Sequence, residues 1–204
     1  MKEEPVLKLG NTHVPNEEIK VKLYSIESSL GAGDAVIDIN DPKGRISSYF
    51  IWGEGDGSFL KFMTPKGKAQ SGIRATVLST ADFIPANIGV PIFSERVKKE
   101  IERLNIKDIN WHAIDIDCAG KIFNFYLCKV GVLLNLVDED KSVFRVLSEG
   151  ERILSKVVYK NNVDYDFMIA RDINFKERLV VSQGFVELCK SKGLRMEFFN
   201  TELS

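Results

Sequence analysis

Phosphate, cation and nucleophile chemistry each need particular residues at particular spacings, and few strings in this chain offer them. Gly31, Gly33 and Asp34 form Gly-Ala-Gly-Asp, a short glycine-rich string closed by a carboxylate. The third glycine of a dinucleotide fingerprint is missing and no strand-helix-strand unit surrounds the string, so a plain glycine turn is expected. Gly53–Ser58, "GEGDGS", offers Glu54 and Asp56 to a cation but has too few oxygen ligands for a calcium loop, and a hairpin turn is expected there. In "VDEDKS", Asp138, Glu139 and Asp140 stand together. Three neighbouring carboxylates either solubilise a turn or meet a basic surface on a protein partner.

Nucleophiles and soft metal ligands are sparse. The two histidines, His13 and His112, lie far apart, and Cys118 and Cys128 lack Cys-x-x-Cys spacing. No metal and no cofactor is expected. Gly-x-Ser-x-Gly is absent, and Ser94 and Ser182 are explained as helix caps. The four letters of Gly31–Asp34 resemble the anion hole of ribokinase-like sugar kinases, a resemblance that implies glycine amides holding phosphate and Asp34 acting as base, but there the motif opens a long helix. Here "AVIDINDP" follows, which reads as a strand entering a turn. The chain is therefore expected not to be an enzyme; the rival is a small enzyme that uses the glycine-rich loops on a phosphate-bearing ligand.

Composition narrows the partners. The chain has 204 residues, 44% hydrophobic and 28% charged, with 28 Lys+Arg against 29 Asp+Glu. That suits a folded globular protein and supplies no global basic field for nucleic acid or an anionic membrane. The opening "MKEEPVLKLG" lacks the apolar core of a secretory signal, so the expected location is cytoplasmic. Cys118, Cys128 and Cys189 are expected to be buried free thiols.

The elements that must position these groups read as an α+β fold, mainly antiparallel sheet with a few helices. Residues 1–80 form a β-rich region of short runs, "IKVKLYSI", "AVIDI", "SYFIW", "SFLKF" and "IRATVL", separated by glycine turns. Residues 81–204 form an α+β part, either separate or within one compact unit. Val97, Ile101 and Leu104 share one face of a helix begun by Ser94. "INWHAIDID" and "KIFNFYLCKV" alternate as a strand pair turning at "CAG", which puts His112 and Trp111 on opposite faces.

"VPIFSERVKKEIERLNIKDINW" has an echo in "RLVVSQGFVELCKSKGLRMEFF". Aligned on Ser94 and Ser182, Val97 meets Phe185, Ile101 meets Cys189, Ile106 meets Leu194 and Trp111 meets Phe199. Either a common αβ pattern recurs by chance, or the chain holds a strand-helix-strand pseudo-repeat with both helices on one sheet.

Together with "LVDEDKS" and "DFMIARD", these two segments resemble a bacterial immunity-protein family found beside polymorphic toxin genes, first catalogued as a domain of unknown function and named after a Myxococcus member. The resemblance spans roughly residues 81–199. It implies a protein that binds and neutralises a cognate toxin in the cytoplasm by direct contact, without catalytic residues to carry over. The candidate partner-binding residues are Asp138, Glu139, Asp140, Glu54 and Asp56.

Overall fold

A computed structural model describes residues 22–28, 37–106, 109–148, 150, 152–163 and 166–204. Gly31–Asp34 and His13 lie outside the described residues. Thirteen strands are described: β1 (Leu23–Glu27), β2 (Ile37–Ile39), β3 (Lys66–Ala69), β4 (Phe83–Ile84), β5 (Ile92–Phe93), β6 (Ile109–Cys118), β7 (Lys121–Val130), β8 (Leu133–Leu134), β9 (Val143–Val146), β10 (Arg152–Lys156), β11 (Ile169–Asp172), β12 (Leu179–Ser182) and β13 (Glu197–Asn200). The α-helices are α1 (Arg45–Ser47), α2 (Ala75–Leu78), α3 (Glu95–Arg103) and α4 (Gln183–Ser191). The fold is α+β with predominantly antiparallel pairing; β3–β6 and β8–β11 pair parallel.

The β6–β7 hairpin is the spine. Its register runs from Ile109↔Val130 to Cys118↔Lys121, and its turn residues Ala119 and Gly120 have φ of 54° and 84°. Two left-handed residues let a two-residue turn follow the strand twist. Alternation gives the hairpin two apolar faces, each with its own core. Ile114, Ile116, Phe125 and Leu127 face one core, while Ile109, Trp111, Cys128 and Val130 face the other.

The first core fills a six-stranded sheet of order β2-β3-β6-β7-β5-β4. This sheet curls until its edges meet: Ile37 N–H donates to Pro85 C=O at 2.9 Å and Asn87 N–H to Ile37 C=O at 3.0 Å. Ile37, Ile84, Ile92, Ile114, Ile116 and Leu127 are fully buried within it. Gly67 is needed here, because a Cβ on it would lie 2.4 Å from Ile37 Cγ2.

A five-stranded sheet, order β13-β1-β12-β11-β8, covers the second core together with α3 and α4. β5 and β6 both run antiparallel to β7, and β12 and β13 both run antiparallel to β1. Each sequence echo is thus a pair of parallel strands, joined by a capped helix and parted by one antiparallel strand. Ser94 Oγ accepts from Val97 N–H and Ser182 Oγ from Phe185 N–H, both at 3.3 Å. The matched positions Val97 and Phe185, and Ile101 and Cys189, are all buried.

Three expectations need correcting. The two helices belong to strands of two different sheets, and they meet through a shared core instead of a shared sheet. The match of Trp111 to Phe199 is off by one residue: Phe198 is the aromatic of β13 that packs on Phe185, at 6.1 Å, while Phe199 is exposed. The runs "SYFIW", "SFLKF" and "IRATVL" are not strands. Ser48–Trp52 is a π-helical turn continuing α1, Ser58–Lys61 is a 3-10 turn and Ala75–Leu78 is α2. The first arises because Asp41 accepts from the Ile46 and Ser47 N–H groups, which satisfies the donors of a starting helix.

Candidate functional site

Gly53–Ser58 joins the π-helical and 3-10 turns, so it is not a hairpin turn. Gly53, Gly55 and Gly57 all adopt left-handed φ, of 73°, 72° and 69°. Gly57 also lies against the Tyr49 ring, where a Cβ would come within 2.4 Å. Asp56 Oδ1 accepts from Ser58 N–H at 2.9 Å, and Glu54 N–H donates to Ser48 C=O at 3.0 Å. The Asp56 carboxyl is held below its usual range chiefly by these Ser58 hydrogen bonds. Its oxygen thus serves the loop itself. Glu54 and Asp56 are exposed and edge a cleft of about 320 Å³ with Lys43, Arg45 and Phe59.

Beneath the loop, Tyr49 meets Phe59, His112 and Lys129, whose ammonium stands 3.6 Å from the ring centroid. His112 does face away from Trp111: it packs edge-on against Tyr49 and Phe50, whereas Trp111 packs on Phe93. Burial, then the Lys129 charge, pull the imidazole pKa down. It is a neutral packing residue.

The acidic turn is anchored from below. Asp138 Oδ1 accepts from Lys141 N–H at 3.2 Å, and Lys141 Nζ stands 3.8 Å from Asp138 Oδ2. Glu139 and Asp140 are exposed, and Glu139 Oε1 accepts from Asn174 Nδ2 at 3.3 Å.

Sequence reasoning missed the pair that organises this region, Arg171 and Asp172, both fully buried. Asp172 takes four backbone N–H bonds at 2.8 Å: Leu136 and Val137 on Oδ2, Asn174 and Phe175 on Oδ1. One carboxylate therefore fixes both the segment entering the acidic turn and the turn after β11. Arg171 donates to Lys176 C=O at 2.7 Å and Gly89 C=O at 3.2 Å. Burial lowers its pKa to about 10, which leaves it charged at neutral pH, and pushes the neighbouring Cys128 thiol up to about 12. Cys128 thus remains a thiol and offers no nucleophile.

Asp82 does the same work elsewhere. It accepts from the Ser94 hydroxyl, from Arg96 Nη1 at 3.0 Å and from Arg195 N–H at 2.7 Å, tying the start of α3 to the segment after α4.

No direct bond joins the two predicted acidic loops among the described residues; the 173–178 turn links them instead. Lys176 Nζ donates to Trp52 C=O at 2.9 Å on one side, and Asn174 reaches Glu139 on the other. Among the described residues no three His, Cys, Asp or Glu side chains gather as a metal group, and no helix is long and apolar enough to cross a membrane. What this geometry displays is a set of braced, exposed loops.

The family model for the immunity protein family Imm11 matches residues 60–201. The chain belongs to that family. The Imm11 match takes in the acidic turn, the Arg171–Asp172 anchor and both capped helices, while Glu54 and Asp56 fall just before it. No curated protein matches the chain. Membership in Imm11 supports an immunity role and suggests a non-enzyme.

Proposed function

We propose that this chain is the immunity partner of a bacterial toxin, which it binds and silences in the cytoplasm by direct protein–protein contact. The Imm11 match over residues 60–201 carries the reading. The braced, exposed loops agree with it, since recognition residues concentrate on loops held by a rigid scaffold. Such an inhibitor covers the toxin's active site or holds it inactive through an interface of roughly 1,200–2,000 Å² in total.

Expression of the toxin encoded beside this chain, with and without the chain, tests the proposal. Restored growth with a co-purifying complex is the expected result. Restored growth without a complex would favour an enzyme that reverses the damage, and no protection would reject the role.

A further inference from the structure

We infer that the toxin-binding face is one composite surface made of residues 52–63, 138–140 and 173–176, fitted to an apolar pocket edged by Lys and Arg side chains. This deepens the immunity reading and rests on it.

Exposed apolar groups lead to this face. Phe62 is 87% exposed, and Trp52 and Ile173 are 45% and 47% exposed. Large side chains left in water on loops fixed by hydrogen bonds are the usual anchors of recognition, because little ordering cost remains when they bind. The fixing is visible here. Trp52 ends a π-helical turn, Phe62 N–H donates to Phe59 C=O at 3.1 Å, and Ile173 N–H donates to Leu134 C=O at 2.9 Å. Lys176 and Asn174 then join the three loops into one unit.

Charge sets the kind of partner. Glu54, Asp56, Glu139 and Asp140 are exposed on these same bonded loops, and none of the four forms an ion pair among the described residues. Several cations beside them are already engaged: Lys176 on Trp52 C=O, Lys141 on Asp138 and Arg45 over the Phe59 ring. Lys61 offsets part of the charge of Asp56. Carboxylates left facing solvent on the loops that carry exposed apolar groups suit a cationic rim, such as borders a site for an anionic substrate. The occupant is therefore a toxin surface of that character.

Two variants test the surface without touching its supports: Phe62→Asp, and the double reversal Glu54→Lys with Asp140→Lys. Phe199→Asp, on the edge of the five-stranded sheet opposite β8, is the control. Binding to the purified cognate toxin is measured by calorimetry, growth protection is scored in parallel, and melting curves check the fold. Each test variant is expected to weaken binding about 30-fold or more and to lose protection with unchanged melting, while the control behaves as wild type. Variants that bind within about threefold of wild type overturn the surface and leave the immunity role intact. A wild-type chain that fails to bind overturns both.

Discussion

Removing the Asp172 carboxylate should loosen the molecule more than any surface change. Its two oxygens accept four N–H groups at 2.8 Å, and the residue is fully buried. In Asp172→Ala the N–H groups of buried Leu136 and Val137 lose their acceptor, at about 1–3 kcal/mol each. Those of Asn174 and Phe175 lie in a more exposed turn, where water can replace the carboxylate. Relief of the carboxylate's own desolvation offsets part of the loss, so a net destabilisation of about 3 kcal/mol is expected. For a chain of this size that lowers the melting temperature by about 6–12 °C. Asp172→Asn keeps one acceptor oxygen but turns an NH2 group toward two N–H donors, so it should fall between wild type and Ala. Thermal melting by circular dichroism gives the ordering, and hydrogen exchange at residues 136, 137, 174 and 175 localises it. An Ala variant that melts within about 2 °C of wild type, with those amides still protected, would refute the reasoning.

Other consequences can be checked on the same purified protein. Gly67→Val should cost about 1–3 kcal/mol or prevent folding, since even a Cβ at 67 meets Ile37 at 2.4 Å; urea denaturation reads it. Ser182→Ala should cost about 1 kcal/mol through loss of its cap, and Ser94→Ala more, because Ser94 also donates to buried Asp82; paired melts compare them. The folded state holds the His112 pKa below its ordinary 6.5, so on acidification the unfolded chain takes the proton first. Stability should therefore fall as pH drops through 6.5 toward the folded value, and His112→Gln should flatten that segment of the stability–pH curve.

The sequence made some of this fold plain and hid the rest for physical reasons. Strict alternation over Ile109–Cys118 and Lys121–Val130 admits one strand register, and apolar spacing after Ser94 and Ser182 admits one helix face. "SYFIW" and "IRATVL" misled because short apolar runs suit a buried strand and a buried helical turn equally; side-chain bonds to the backbone, such as Asp41 on the Ile46 and Ser47 N–H groups five and six residues on, decide for the helical turn in the first of them. Closure of the six-stranded sheet rests on Ile37 meeting Pro85 and Asn87, a pairing with no local signal. Asp172 closes the strand segment "IARD", where an acidic residue reads as solvent-facing, and only the tertiary fold surrounds it with N–H donors. Likewise, Glu54 and Asp138–Asp140 were visible as charge, whereas the turn that links them was not.

The most direct test of the immunity reading is titration of the purified toxin's activity with the purified chain. Inhibition that is complete at one equivalent, with a stable complex on gel filtration, is the predicted result. Protection that persists at a small fraction of an equivalent, with no complex formed, would show turnover and contradict direct contact.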